Sequence, residues 1–407
     1  MSNCLFSLGV LALASTHTIA TEPPHYRVEP LGSLPGTYAT QVVRINDAET
    51  IIGQARGPQL EVRSWVWTRE SGMVELLPPP GYTDIRVEGL SENGIICGSI
   101  RPTFTSPPHA FRYQGGEFVI VTPPPSSGGI EAYSVNNSGE MVGFLIVQSA
   151  GQLGGEFYYS DATGVLDIAP GEGSAWDINN AGFVVGMTGS LQGYRWSLAT
   201  GLELLPWPAG WDGSEGLRIN QQGHVAGRVI DERPGRDPCD SALWRGGAPE
   251  IISGSGFHQS RPLGINDRDE VIGADGTEST PLYTPHLWLP GKGRFDFTLV
   301  QTTPPLTQIM IAHDINNRGQ IIGRAYSPEI GDAAVLYTPI GWGCGSSDFN
   351  GDGDSGTDQD IEAFFACIGG TCCATCFPGG ADFNGDGDAG TDQDIEAFFR
   401  VLGGNAC

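Results

Sequence analysis

The chain has 407 residues and a formal net charge of −26, because 47 Asp and Glu stand against 21 Lys and Arg. So few cations cannot build the basic face that nucleic-acid binding requires, and we expect no nucleic-acid partner. The 60 glycines, 29 prolines and 39% hydrophobic residues exclude both a helical bundle and a disordered chain.

Residues 1–20 have the pattern of a signal peptide. The apolar run Leu5–Ala14 precedes Thr18-Ile19-Ala20, in which small residues flank a cleavage position. The run is shorter than the ~20 residues that span a bilayer, and no later segment resembles a transmembrane helix. We therefore expect a secreted protein without a membrane span, either extracellular or attached to the cell surface.

A nonapeptide that starts with Ile45–Gly53 (INDAETIIG) occurs seven times along the middle of the chain. The other copies are Leu90–Gly98, Val135–Gly143, Ile178–Gly186, Ile219–Gly227, Ile265–Gly273 and Ile315–Gly323. Their closing glycines are 45, 45, 43, 41, 46 and 50 residues apart, which indicates a repeat architecture. Asn, Asp and Gly at the centre of each copy predict a hairpin turn with positive φ, where Glu49 and Asp269 replace the usual glycine.

Two further strands are predicted after each hairpin. The third strand is marked by an aromatic residue, at Trp67, Tyr113, Tyr159, Trp196, Trp244, Trp288 and Tyr337. The fourth is an apolar stretch, at Met73–Leu77, Phe118–Val121, Val165–Ala169, Leu202–Leu205, Glu250–Ser253 and Phe295–Val300. Four short strands in about 45 residues match one blade of a propeller.

The seventh repeat lacks a fourth strand, whereas an additional strand, Tyr26–Leu31, precedes the first repeat. Pairing of Tyr26–Leu31 with Val335–Tyr337 would complete the last blade and leave no long open edge. Residues 25–343 are therefore predicted to form a mainly β domain, a seven-bladed β-propeller. An open solenoid and a pair of β-sandwiches are the alternatives.

The repeat core INxxGxIxG, together with His109–Phe111 (HAF), resembles the HAF-repeat family of exported bacterial proteins. Only one copy spells His-Ala-Phe, so the repeat core carries most of the resemblance. The resemblance implies a propeller-like fold and export, and it implies no settled activity.

The end of the chain carries a duplicated acidic sequence. Asp348–Phe365 and Asp382–Phe399 differ only at Ser355 and Ala389. Oxygen ligands at loop positions 1, 3 and 5, a glycine at 6 and a backbone carbonyl at 7 form the first half of a calcium loop. The predicted ligands of two Ca²⁺ ions are Asp348, Asn350, Asp352, Asp354 and Asp360, then Asp382, Asn384, Asp386, Asp388 and Asp394.

The last ligand of each loop has two candidates. Glutamine occupies position 12, and an aspartate lies on either side of it. We favour Asp360 and Asp394 over Asp358 and Asp392, which implies a one-residue insertion in each loop. An apolar pattern with helical spacing begins directly after each favoured residue.

Two calcium loops, each followed but not preceded by a helix, resemble a dockerin domain. The cysteine frame that ends in Gly403-Gly404-Asn405 is similar to that of GC-type dockerin modules. The resemblance covers residues 344–407 and implies docking to a cohesin-like or cell-envelope protein. Six cysteines here predict disulfides whose pairing the sequence leaves open, namely Cys344, Cys367, Cys372, Cys373, Cys376 and Cys407. Cys97 and Cys239 are expected to lie outside them.

The sequence shows no catalytic constellation, because its histidines are scattered and GxSxG, HExxH and P-loop motifs are absent. We therefore expect the propeller to bind a protein or another ligand, such as carbohydrate. The alternative is a carbohydrate-active propeller enzyme that the dockerin-like module displays. The repeated aromatic residues are interpreted as core between blades, and Trp207 and Trp211 are the predicted ligand-binding residues because they lie in a loop, Leu205–Gly213.

Overall fold

The computed structural model describes residues 24–125, 127–147, 153–168, 173–231, 239–253, 259–277, 280–340, 347–352, 354–373, 376–377, 380–384 and 389–403. The predicted signal peptide, residues 1–20, lies outside the described residues. Within the described part of the chain, no helix is both long and apolar enough to cross a membrane.

The first four repeats form four-stranded antiparallel sheets that resemble propeller blades, with the strands of each sheet in chain order. Repeats 1 and 2 supply β2 (Ala39–Ile45), β3 (Ile51–Arg56), β4 (Val62–Thr68), β5 (Gly72–Glu75), β6 (Asp84–Leu90), β7 (Ile96–Arg101), β8 (His109–Gln114) and β9 (Glu117–Val121). Repeats 3 and 4 supply β10 (Ser127–Val135), β11 (Met141–Val147), β12 (Leu153–Ser160), β13 (Gly164–Asp167), β14 (Ser174–Ile178), β15 (Val184–Met187), β16 (Gly193–Ser197) and β17 (Gly201–Leu204).

Repeats 5 and 6 have the same order, and one parallel pair, Cys239 opposite Gln259, joins their sheets. Their strands are β18 (Gly213–Ile219), β19 (Val225–Ile230), β20 (Cys239–Trp244), β21 (Glu250–Ile251), β22 (Gln259–Ile265), β23 (Val271–Thr277), β24 (Thr280–Leu289) and β25 (Gly293–Asp296). The last sheet contains β26 (Gln301–Thr303), β27 (Gln308–Ile315), β28 (Ile321–Ser327), β29 (Gly331–Ile340) and β1 (His25–Pro30).

The N-terminal strand joins the last sheet, as predicted. β1 runs antiparallel to β29, with Val28 opposite Tyr337 and Pro30 opposite Val335. A short strand that the sequence did not predict, β26, pairs in parallel with the other side of β1. The final sheet therefore has five strands rather than four.

The predicted fourth strand Phe295–Val300 is wrong in its second half, because β25 ends at Asp296 and a 3-10 turn follows at Phe297–Leu299. The Asp296 carboxylate accepts a hydrogen bond from the Thr298 N–H at 2.9 Å, which caps the turn and ends the strand. Four of the other five fourth strands end one or two residues before the ends of the apolar stretches that predicted them.

The first strands of the seven repeats surround a common axis. Each of these innermost strands (β2, β6, β10, β14, β18, β22 and β27) contacts the innermost strand of the next repeat, and β27 contacts β2. Asparagine side chains connect the turns that follow them. For example, Asn179 Nδ2 donates to Asn220 O at 3.0 Å, and Asn316 Nδ2 donates to Asn46 O at 3.1 Å, linking the last repeat to the first. The repeated Asn thus acts between repeats as well as within its own turn.

A β-bulge interrupts every innermost strand at the same place. The extra residue lies immediately after the partner of the closing glycine, and the seven extra residues are Val43, Glu88, Tyr133, Trp176, Leu217, Leu263 and His313. The closing glycine is needed because the two strands approach closely there. A Cβ on Gly143 would lie 2.0 Å from Glu131 O, and one on Gly186 would lie 1.8 Å from Ser174 O. Bulges bend a strand and redirect its side chains, here toward the axis.

The repeated aromatic residues belong to the apolar core. Trp196, Trp244, Trp288 and Tyr337 are buried, and Trp67, Tyr113 and Tyr159 pack against buried clusters. These clusters join neighbouring repeats. For example, Val142 of repeat 3 packs with Val184 and Trp196 of repeat 4. This confirms the interpretation of these residues as core between sheets.

The C-terminal region is a short helical unit built from two equivalent halves. Helix α1 (Asp358–Ile368) and helix α2 (Asp392–Leu402) enclose buried phenylalanines from both copies of the acidic sequence. Phe364 stacks on Phe398 with ring centroids 4.1 Å apart. Two disulfides, Cys367–Cys372 and Cys373–Cys376, follow α1, whereas Cys344 and Cys407 lie outside the described residues. Cys97 is a buried free thiol, and Cys239 is buried in β20.

Candidate functional site

A cavity of about 490 Å³ lies on the axis of the sheet array, and all seven innermost strands contribute to its lining. We call it the axial cavity. Six of the seven bulge residues line it, and in repeat 5 Arg218 takes the place of Leu217. The lining residues are Gln41, Val42, Val43, Arg44, Gln54, Glu88, Tyr133, Trp176, Arg218, Arg261, Leu263, Ile311, His313 and Arg324. None of them was predicted as a site residue.

Arg44 and Arg218 occupy equivalent positions in repeats 1 and 5, directly after the bulge residue. Each guanidinium folds back on its own strand: Arg44 Nη1 donates to Val43 O at 3.0 Å, and Arg218 Nη1 donates to Leu217 O at 2.8 Å. Arg218 Nε also donates to Leu263 O at 2.7 Å. In the described part of the chain, neither side chain forms an ion pair, so most of their N–H donors have no protein acceptor.

Aspartates occupy the same position, directly after the bulge residue, in repeats 7 and 4. These repeats lie next to repeats 1 and 5, which contain the two arginines. Asp314 Oδ2 accepts from the Ile45 N–H, and Asp177 Oδ2 accepts from the Ile219 N–H, both at 3.1 Å. Ser134 Oγ donates to the other oxygen of Asp177 at 2.6 Å. These carboxylates therefore connect one repeat to the backbone of the next, beside the arginines.

Aromatic side chains form one wall of the axial cavity. The rings of Tyr133 and Trp176 lie 5.7 Å apart in an edge-to-face arrangement, and Phe144 packs against both. Trp176 Nε1 donates to Glu215 Oε1 at 2.8 Å, which fixes the indole. The Arg261 guanidinium lies 5.5 Å from the centre of the Trp176 ring, within the range of a cation–π contact.

The electrostatic environment of the axial cavity is positive. Burial, assisted by the charges of Arg44 and Arg218, lowers the pKa of His313 to about 3. Burial, with a contribution from Arg44, lowers the pKa of Arg218 to about 9, so this side chain stays protonated at neutral pH. Burial also raises the pKa of Glu88, the one carboxyl group among the described lining residues.

We expect the His313 imidazole to remain neutral between about pH 8 and about pH 5, a range in which an ordinary histidine becomes charged. Its pKa is lower in the folded than in the unfolded protein, so protonation of the unfolded chain reduces stability as the pH falls below ~6.5. An NMR titration of the imidazole resonances, assigned with the variant His313→Gln, measures this. A titration midpoint between about pH 6 and 7 would contradict the positive environment.

The first predicted calcium loop has alternating side-chain oxygens that turn the backbone. Asp348 Oδ1 accepts from the Gly351 N–H at 2.9 Å, Asn350 Oδ1 from the Asp352 N–H at 3.0 Å, and Asp352 Oδ1 from the Asp354 N–H at 2.9 Å. These hard oxygen donors fit Ca²⁺ chemically. Within the described residues, however, no three His, Cys, Asp or Glu side chains converge as a metal site. The calcium ligands therefore stay a prediction.

Asp360 lies in the first turn of α1 and holds the loop against the helix. Its Oδ1 accepts from the N–H groups of Phe349 and Asn350 at 2.7 and 3.2 Å. Its Oδ2 accepts from the N–H and hydroxyl of Thr357, the N-cap of the helix. Although burial opposes its charged form, these backbone donors lower the pKa of Asp360. The helix begins at Asp358, three residues before Ile361, where the apolar pattern starts.

The second loop has the same construction where it is described. Asp394 accepts from the Asn384 N–H at 3.1 Å and caps α2 together with Thr391. Asp386 and Asp388 lie outside the described residues, and Asp382 and Asn384 precede that gap. Gly356 and Gly390 share a φ of +73°, so both halves enter their helices alike.

Trp207 and Trp211 lie in the loop between β17 and β18. Both are half-buried and pack against the apolar cluster that contains Leu205 and Trp244. They are not among the residues that line the axial cavity. The structure therefore gives them a packing role, and ligand binding by them stays a prediction.

Two phenylalanines of the C-terminal unit remain exposed at equivalent positions. Phe365 of α1 and Phe399 of α2 are 44% and 48% exposed, and their ring centroids lie 6.3 Å apart. Their neighbours in sequence, Phe364 and Phe398, are fully buried. The two helices therefore present one small apolar surface, which we call the Phe365–Phe399 patch.

No protein-family model matches this chain, and no curated protein matches it. Solved structures do match it. Virginiamycin B lyase from Staphylococcus aureus is 10% identical, with a TM-score of 0.45 over 77% of this chain and 99% of that chain. The WD40 repeats of RRP9 are 12% identical, with a TM-score of 0.48 over 78% and 99%. The β-propeller domain of the Trilobed protease from Pyrococcus furiosus is 14% identical, with a TM-score of 0.44 over 65% and 82%.

Proposed function

We propose that this chain is an exported binding protein with two parts. Residues 25–343 form a closed seven-bladed β-propeller whose axial cavity takes a ligand. Residues 344–407 form a dockerin-like module that binds two Ca²⁺ ions and docks to a cohesin-like or cell-envelope protein. The observation that carries the docking role is the exposed Phe365–Phe399 patch on two equivalent helices.

Closure of the propeller is supported by the contacts between its first and last repeats. Asn316 connects to Asn46, and the Asn317 N–H donates to Asp47 Oδ1 at 2.8 Å. The strand β1 then completes the sheet of the seventh repeat. In an open solenoid each repeat contacts only its neighbours in sequence, so repeat 7 would not contact repeat 1.

Calcium is supported by the donor chemistry of the duplicated loops and by their charge. Asp348, Asn350 and Asp352 place three oxygen-bearing side chains on one tight turn, where a divalent cation would neutralise repulsion between the carboxylates. Asp360 already fastens this turn to α1. A bound ion would therefore stabilise the loop in the position from which the helix presents Phe365.

Docking is supported by the Phe365–Phe399 patch, to which the two copies of the acidic sequence contribute equivalent residues. An exposed aromatic pair on two helices whose first turns are acidic, with Asp358 and Asp392, fits a partner surface that is apolar at its centre and basic at its rim. Aromatic residues in such a position commonly contribute most of the binding energy of an interface.

Binding rather than hydrolysis is the role that the axial cavity supports. Most glycoside hydrolases place two carboxyl groups across the scissile bond. Among the described residues that line the axial cavity, Glu88 is the one carboxyl group, against four arginines.

The test uses the full-length protein as bait for the exported and envelope proteins of its own source cells. We expect a partner to be retained with calcium and released by a chelator. The double variant Phe365→Ala/Phe399→Ala is expected to weaken retention by at least about tenfold, as for truncation of interface hot spots. A direct calcium titration of the same bait should give two sites per chain.

The matched control is Leu202→Ala/Leu204→Ala, which removes two exposed apolar side chains from β17 of the sheet array. This variant should bind the partner as the unmodified protein does. Retention that survives the chelator, or that both double variants weaken equally, would refute docking through the Phe365–Phe399 patch.

A further inference from the structure

The axial cavity contains two positive side chains, Arg44 and Arg218, that form no direct ion pair within the described part of the chain. Arg44 donates one hydrogen bond and Arg218 two, all to backbone carbonyls, although a guanidinium has five N–H donors. Desolvated cations are normally paired, because an unpaired charge in a partly buried site is unfavourable. An anion from outside the chain would satisfy both groups.

Among the described residues, the nearby aspartates compensate this charge only at longer range and leave the remaining guanidinium N–H donors free. Asp314 and Asp177 direct an oxygen to the backbone N–H groups of Ile45 and Ile219, and neither forms an ion pair with an arginine in the described structure. Two further guanidinium groups line the same cavity: Arg261, which lies against Trp176, and Arg324, which is ion-paired with Asp332. The arrangement is therefore that of a receptor for an acidic group.

The other residues that line the axial cavity indicate which class of molecule would bear the acidic group. Tyr133 and Trp176 offer aromatic surface, and the side chain of Gln41 offers an amide group to hydroxyls. The Gln54 amide already donates to Val87 O and Glu88 Oε1, at 3.0 and 3.3 Å. Aromatic surface beside polar donors and acceptors is suited to a sugar ring, which has both apolar C–H faces and hydroxyl groups. A volume of about 490 Å³ accommodates one or two such rings.

We propose that the axial cavity binds an acidic saccharide, whose carboxylate is held by Arg218 and Arg44 and whose ring lies against Tyr133 and Trp176. The planar fork of a guanidinium matches a carboxylate in a bidentate contact. This inference rests on the binding role proposed for the propeller and is independent of docking by residues 344–407.

The probe is digalacturonate, titrated calorimetrically into the full-length protein at low ionic strength. The comparison ligands are its methyl ester, which keeps the rings without the charge, and inorganic phosphate, which keeps the charge without the rings. We expect digalacturonate to bind at least about tenfold more tightly than either, and to weaken as salt is added.

The variants Arg218→Gln and Arg44→Gln should each weaken digalacturonate binding by at least about tenfold, the effect expected for losing a charge-assisted hydrogen bond. Arg218→Lys keeps the charge but not the fork and should bind with intermediate affinity. The matched control is Arg195→Gln, which removes the same charge from a surface arginine paired with Glu203 and should change nothing. Thermal melting shows which variants are folded.

Three results would overturn the inference: no binding of digalacturonate, equal binding of the methyl ester or phosphate, or an equal loss in Arg195→Gln. Docking is measured on the same protein through partner capture. If capture depends on calcium while digalacturonate does not bind, the acidic-saccharide inference fails and the docking proposal stands.

Discussion

Replacing Gly143 with alanine is expected to destabilise the sheet array by at least about 3 kcal/mol, at the upper end of overpacking substitutions. A Cβ at this position would lie 2.0 Å from Glu131 O and 3.0 Å from the Cα of Ala132. Both obstacles are backbone atoms of β10, so no side-chain rotation relieves the clash. The strand would have to leave its partner β11 at the bulge that places Tyr133 in the axial cavity.

The measurement is denaturant unfolding of the full-length chain, with Gly247→Ala as the matched control. Gly247 lies in the turn after β20, where an added Cβ meets nothing within 4 Å and where φ is not in the left-handed region. The control should therefore unfold within about 0.5 kcal/mol of the unmodified protein. If Gly143→Ala and Gly247→Ala unfold at the same denaturant concentration, the closing glycine does not have the role described here.

The repeat pattern predicted most of the sheet order. A turn motif with regular spacing defines the hairpins, and the residues that replace the turn glycine, Glu49 and Asp269, do have positive φ, at 57° and 61°. The seventh repeat and the strand before the first repeat were each incomplete alone, which predicted the pairing of β1 with β29. This inference needed only the requirement that exposed strand edges be paired.

The axial cavity was not predicted, although one signal for it was present. Each nonapeptide closes with a glycine inside a strand, a position that often marks a bulge or a close backbone approach. That signal gives the site of each bulge but not its chemistry, because the extra residues, such as Glu88, Tyr133 and His313, share no residue type. These different side chains come together because each innermost strand contacts the next and β27 contacts β2, which residue types in a single repeat do not reveal.

The first residue of each C-terminal helix could also have been predicted from the sequence. Threonine three residues before an aspartate, as in Thr357 and Asp360, is the pattern of a capping box, and the structure shows that box in both halves. Interpreting Asp360 as a calcium ligand alone placed the helix start too late. The same carboxylate holds backbone N–H groups of the loop and the first turn of the helix.

The second large effect is expected for Phe398→Ala in the C-terminal unit. Phe398 is fully buried and contacts Phe349, Phe364 and Phe383, so its truncation leaves a cavity where the four buried rings of the duplicated sequence meet. Truncation of a buried phenylalanine costs about 3–5 kcal/mol. A unit of this size has a small core and little stability in excess of that value.

We therefore expect Phe398→Ala to abolish protection of α1 and α2 in hydrogen exchange of the full-length protein, while the strands of the sheet array keep theirs. Phe399→Ala is the matched control, because it makes the same substitution one residue later, on the exposed side of the same helix, and should leave protection within about tenfold of the unmodified protein. Equal loss of protection in the two variants would mean that the unit does not have the buried and exposed faces assigned here. The pair of variants also separates stability from docking, because Phe399→Ala should weaken partner capture in a folded module, whereas Phe398→Ala should weaken it by unfolding the module.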